Sequence, residues 1–197
     1  MTQTTNWAEL ALLSIRDPKA AAQTIVSWQL PRDVLWMALA CVAAINTIMF
    51  SLSDMLSPPQ TPLPAILHIP FAFFVIVAGG LVVTVNAIYW TARMLGAKGD
   101  LGDMLALMIW LQALRAVAQA AVLVLMLVAP ALAALVVFGT AVLALWLLLN
   151  FISVGMRIET IGKSALVLIA SSIAVVVGLS LILSMIGLTA LGLPANV

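Results

Sequence analysis

Arg115 stands in the middle of an apolar run from Met104 to Val128, with Gln112 and Gln119 on either side of it. Residues at i, i+3 and i+7 share one face of a helix, so the three form a polar stripe. A guanidinium offers a planar fork of N–H donors that suits carboxylate or phosphate, and the two amides can donate or accept. Asn46, Asn86 and Asn150 add one amide to each of three further apolar runs. Such groups can hold an anion, bridge helices or line a polar path, but none is a nucleophile. The chain has a single histidine, His68, and a single cysteine, Cys41, and its apolar cores contain no Asp or Glu. Without a buried base, acid pair or nucleophile–base pair, no catalysis is expected. No cofactor or metal site is expected either, and one cysteine excludes an internal disulfide.

The elements that position these residues follow from composition. The 197 residues are 65% hydrophobic and 8% charged, with mean hydropathy +1.25. A water-soluble domain carries roughly 25% charged residues, so the chain reads as an all-α, polytopic membrane protein. Its net charge of +1 is not gathered on a basic face, so no nucleic-acid partner is expected. The first long apolar run begins only at Val34, and a cleaved signal peptide is not expected.

Residues 1–33 read as short amphipathic helices at the membrane interface, packed on the bundle or on headgroups, with a soluble partner as the alternative. Asn6 with Glu9 resembles a capping box, and Asp17-Pro18 ends one helix and starts the next. Residues 34–191 then form a bundle of five spans, at about 34–52, 69–92, 104–128, 131–154 and 164–191, and 192–197 is a short tail. The proline-rich linker Ser57–Pro64 cannot be regular helix. Ala129-Pro130 alone joins the third and fourth spans, which predicts a tight antiparallel hairpin. Seven of the eight Lys and Arg residues (Arg16, Lys19, Arg32, Arg93, Lys98, Arg157, Lys163) fall on one side of this topology. The positive-inside rule assigns that side, with the N-terminus, to the cytoplasm and the C-terminus to the outside.

Depths can then be compared. Arg115 lies about 18 Å from Asp103 at the ~1.5 Å rise per residue of a helix, close to the level of Asn46. Asn86 and Asn150 lie about 10 Å from the cytoplasmic end by the same rise. Gln and Arg facing lipid lose their hydrogen-bond partners, so the stripe is expected to point into the bundle. With no acid to answer it, Arg115 is left to amides such as Asn46, to water, to a lipid phosphate or to a partner's carboxylate. A charge at the bilayer centre costs about 2.5–3.5 kcal/mol on insertion scales. Ala170, Ala174 and Gly178 form a candidate packing face in the fifth span, since small residues every four positions let helices approach. Ala78-Gly79-Gly80 could mark a kink or a close crossing. Trp36, Trp90 and Trp110 read as interfacial anchors, Trp146 as packing, His68 as a headgroup-level residue and Cys41 as a small core residue.

The segments Gly96-Ala-Lys-Gly-Asp100-Leu-Gly-Asp103, Ala106-Leu-Met-Ile-Trp110-Leu-Gln112, Pro130-Ala-Leu-Ala and Trp146-Leu-Leu-Leu-Asn150-Phe-Ile carry a family resemblance. Together with Asp17-Pro18 and Leu30-Pro31-Arg32-Asp33-Val-Leu-Trp36, they resemble the bacterial branch of the Yip (Ypt/Rab-interacting protein) family. The resemblance implies five spans and a cytoplasmic N-terminus, in a bacterial inner membrane. It also implies a His-Gly-Phe-like segment at the fourth-to-fifth junction, where this chain has Gly155-Met156-Arg157, so no histidine role carries over. The N-terminal region is short, and GTPase binding is not carried over.

The function expected is that of a scaffold, assembly factor or accessory subunit, packing against membrane lipids and another membrane protein or a second copy of itself. A small transporter or channel, with a polar path around Arg115, Gln112, Gln119, Asn46 and Asn86, is the alternative.

Overall fold

The computed structural model describes residues 6–56 and 64–186, so most of the proline-rich linker, the end of the fifth span and the C-terminal tail lie outside the described residues. Two short helices, α1 (Trp7–Arg16) and α2 (Pro18–Ser27), precede five long ones: α3 (Arg32–Leu56), α4 (Pro70–Met94), α5 (Leu101–Val128), α6 (Pro130–Gly155) and α7 (Ile161–Ile186). A single 3-10 turn, Ala65–His68, leads into α4. The five long helices are long and apolar enough to cross a membrane, and the protein is an all-α polytopic membrane protein. The shortest, of 25 residues, spans about 37 Å at ~1.5 Å per residue. The hydrocarbon core is ~30 Å thick, so every span reaches into the headgroup zone or tilts.

Helix boundaries follow local chemistry. The Asn6 side chain accepts from the Ala8 amide at 3.2 Å and starts α1. Asp17 accepts from the Ala20 amide at 3.1 Å with Pro18 at the first helical position, as the Asp-Pro pair predicts. Asp100, in the same role for α5, accepts from the Gly102 amide at 2.9 Å. Ala129 is the only residue between α5 and α6, which form the most extensive helix pair.

The spans alternate in direction and close a ring in the order α3, α5, α6, α7, α4, with α4 also meeting α5 across it. Every Lys and Arg except Arg115 is grouped at one end, called the basic end below. There α1 and α2 lie against α5 and α6. Ala21 and Ala22 are fully buried and Ile25 nearly so, their small side chains letting α2 approach closely. The N-terminal helices are thus packed on the bundle, with Trp7 largely exposed. Most of the core sits in this half, around Ile88, Met104, Leu107, Phe151, Ile152 and Met156.

At the opposite end the Phe50 and Phe73 rings stack at 4.0 Å and His68 Nδ1 lies 3.0 Å from an Asp54 carboxylate oxygen, tying α3 to the start of α4. His68 therefore does more than sit at headgroup level. Three other expectations are corrected. Cys41 is exposed on α3 rather than in the core. Trp146 is also exposed, on the outer flank of α6. A Cβ added at Gly79 or Gly80 would meet nothing within 4 Å, so none of the described helices crosses closely there.

Candidate functional site

The Arg115 side chain is exposed on the bundle's flank, and the expectation that it points inward is not met. It lines a groove of about 420 Å³ between α5 and α6 with Gln119 and Thr140. The groove exists because Ala118 on one helix and Ala141 and Ala144 on the other leave the seam unfilled. Thr140 donates its hydroxyl to the Val137 carbonyl at 2.9 Å and keeps its oxygen as an acceptor. Among the described residues, no carboxylate pairs with Arg115 and no hydrogen bond reaches its guanidinium. Gln112, one turn nearer the basic end, is half-buried and does not line the groove.

The asparagines do not converge on Arg115. Asn46, Asn86 and Asn150 each donate to the carbonyl four residues earlier, those of Val42, Val82 and Trp146, at 2.8 to 2.9 Å. A short amide on a helix reaches the lone pair of its own i−4 carbonyl more easily than a neighbouring helix. Asn150 is buried, while Asn46 and Asn86 are half-buried. On α7, Ala170 and Gly178 are half-buried and Ala174 is exposed, and a Cβ at Gly178 would meet nothing within 4 Å. Among the described residues, no side chain fills that small-residue face at Gly178.

The basic end holds a second group of polar side chains, built by two matching helix ends. α4 stops with Gly96 at φ +85°, the Gly96 amide bonded to the Arg93 carbonyl and the Ala97 amide to that of Ala92. α6 stops the same way, the Arg157 amide bonded to Val154 and the Ile158 amide to Ser153. Both are Schellman ends, in which a left-handed residue normally has to be glycine. Here Arg157 takes that place at φ +55°. The Ser153 hydroxyl fixes the turn by donating to the Ile158 carbonyl at 2.7 Å. The two turns are in contact: a Cβ on Gly99 would overlap the Gly155 carbonyl oxygen and the Met156 Cα. One guanidinium nitrogen of Arg157 lies 3.8 Å from an Asp103 carboxylate oxygen. Arg157 also lines two cavities, one of about 580 Å³ with Lys19 and Gln23, the other of about 430 Å³ with Lys98 and Lys163.

The α1–α2 unit is fastened beside this region. Trp110 donates its indole N–H to the Ser14 hydroxyl at 2.9 Å, and Ser14, fully buried, donates to the Leu10 carbonyl at 2.8 Å. Trp7 packs on Trp28 edge-on at 5.8 Å and on Trp110 at 6.0 Å. Trp110, read from sequence as a membrane anchor, instead holds the N-terminal helices; Trp36 and Trp90 stay exposed. Ser14 carried no signal in the sequence, and Gly99 entered there only as part of the Gly96–Asp103 motif, with no structural role. The left-handed Arg157 was hinted at only by its place after a helix-ending Gly155-Met156.

The arrangement places cationic N–H donors at two levels, Arg115 mid-span and Lys98, Arg157 and Lys163 at the basic end. Among the described residues no three His, Cys, Asp or Glu side chains converge. A family profile described as the Yip1 domain matches residues 12–183, from within α1 almost to the end of α7. The chain belongs to the Yip1 family. Curated proteins and solved structures give no match. The match takes in both polar regions of this Yip1-family bundle, the Arg115 groove and the turns around Arg157.

Proposed function

We propose that this member of the bacterial Yip branch is a non-catalytic membrane scaffold or accessory subunit, acting by helix packing with another membrane protein. Its basic end would face the cytoplasm of a bacterial inner membrane, as the positive-inside rule requires. The observation that carries the proposal is Arg115, mid-span, in an outward groove with Gln119 and Thr140 and, among the described residues, no acid paired with it. A guanidinium facing hydrocarbon costs about 2.5–3.5 kcal/mol. A partner helix presenting a carboxylate at that depth would remove the cost, and the alanine-lined seam leaves room for it. Transport would need a path through the ring, whereas the Arg115 groove opens on its flank.

Photo-crosslinking from position 144 at native expression, with the captured species identified by mass, tests this. A membrane-protein adduct is expected, retained by Arg115→Lys and lost in Arg115→Leu while helical content and Tm hold. An adduct that survives Arg115→Leu unchanged, or lipid alone at position 144, would overturn the proposal.

A further inference from the structure

We propose that the cavity of about 430 Å³ between the end of α4 and the start of α7 binds the phosphate of an anionic membrane phospholipid. Its polar wall is Lys98, Arg157 and Lys163, with Glu159 as the one acid among the lining residues. Lys98 and Arg157 come from two different interhelical turns and Lys163 from the first turn of α7, and the two interhelical turns are locked together where Gly99 presses on Gly155 and Met156. The backbone that carries Lys98 and Arg157 is therefore held in place by the fold. Asp103, 3.8 Å from one Arg157 nitrogen, leaves the other guanidinium N–H groups free to donate.

Arg157 supplies a second line of support. A side chain in the left-handed region costs about 1–2 kcal/mol per residue, and glycine would occupy the same turn without strain. Gly96 does so in the matching turn of α4. What arginine adds at that position is a cationic side chain on the cavity wall, and strained residues of this kind persist where the surroundings over-determine them.

The remainder of the wall is lipid-like in its demands. Ala92 and Val167 form a buried base, while Leu95 and Leu166 stand on the rim, each 53% exposed. An inorganic or sugar phosphate has no use for exposed leucines beside its site. A phospholipid would place its phosphate on the cations and its first methylenes on Leu95 and Leu166. Basic pockets between helices on the cytoplasmic side suit lipid headgroups in this way. The site is independent of the Arg115 groove, which lies further into the membrane on another helix pair.

The test uses the full chain with native mass spectrometry, comparing phosphatidylglycerol, phosphatidylcholine and inorganic phosphate as probes. The variant Lys98→Gln/Lys163→Gln/Arg157→Gly removes all three cations, and Arg157→Gly alone gives the turn its ordinary residue and guards against misfolding. Each cation near an anionic surface contributes about fivefold in affinity, so phosphatidylglycerol binding should fall about a hundredfold in the triple variant. Phosphatidylcholine should bind weakly to both. Equal binding of the two lipids, or retention of phosphatidylglycerol by the folded triple variant, would overturn the proposal. Displacement of phosphatidylglycerol by millimolar inorganic phosphate would equally overturn the lipid and leave a free-phosphate site.

Discussion

Replacing Arg157 by glycine should not weaken the fold, although it deletes an ion pair and a cavity-lining side chain. The left-handed backbone at φ +55° is the reason. Releasing that strain is worth about 1–2 kcal/mol. Against it stands the extra freedom that glycine gives the unfolded chain, about 0.4–1 kcal/mol. The pair with Asp103 is 3.8 Å long and the arginine is 64% exposed, so solvent screens it. Pairs of that kind fall at the low end of the ~0–1 kcal/mol range for surface salt bridges. The net expectation is from no change to about 1 kcal/mol of stabilisation. Arg157→Ala loses the same pair but keeps the strain, because alanine also carries a Cβ. Comparing the two variants cancels the ion pair and leaves the backbone contribution, the strain less the unfolded-chain freedom, centred at about 0.8 kcal/mol in favour of glycine. For a chain of this size that corresponds to a Tm difference of ~1–4 °C. Tryptophan fluorescence on heating, in one detergent for all three proteins, reads it. If Arg157→Ala proves as stable as Arg157→Gly, the left-handed turn is not strained and the account of that turn is wrong.

Gly99→Ala should be among the most damaging small substitutions, because its Cβ would overlap the backbone of Gly155 and Met156, which cannot swing aside as a side chain can. Overpacking costs about 1–3 kcal/mol, and Gly80→Ala, in open space on a helix, should be neutral or stabilising in the same thermal assay. Trp110→Phe should loosen α1 and α2 without unfolding the bundle, since the lost bond to Ser14 is worth about 1 kcal/mol. Trypsin cleavage at Arg16 and Lys19 should accelerate in that variant, and unchanged protection would show that the indole N–H does not fasten the N-terminal helices.

How much of this was legible in the sequence depended on the range of the interactions involved. The five spans, the hairpin at Ala129-Pro130 and the start at Asp17-Pro18 rest on hydropathy, proline geometry and a cap three residues long, all of which a linear reading captures. Arg115 was found for the same reason, as a charge in an apolar run. Its direction was misread, because the inward expectation assumed that a charged side chain must find its partner within its own chain. Asn46 failed as that partner because it sits on α3, whereas Arg115 lines the groove between α5 and α6. Trp110 with Ser14 spans 96 residues of sequence, and no local pattern announces such a pair. Gly99 likewise gives no sign of its importance until α6 is seen to end against it.

The two arginines that break local rules do so for opposite physical reasons, and that contrast bears on how the protein is used. Arg157 carries a backbone cost, met within the chain: the Ser153 hydroxyl, the paired Schellman ends and the contact with Gly99 hold the turn whatever the guanidinium touches. Arg115 has an unstrained helical backbone and a side chain that lacks a carboxylate or hydrogen-bond partner among the described residues. The cost at Arg157 is thus settled on folding, and its charge is presented ready-made at the membrane surface, where lipid is always available. On the proposed function, the cost at Arg115 would be settled only when a partner helix arrives. On this argument a phospholipid at the basic end should be bound constitutively and copurify from any membrane. Occupancy of the α5–α6 groove should instead follow the abundance of a partner helix.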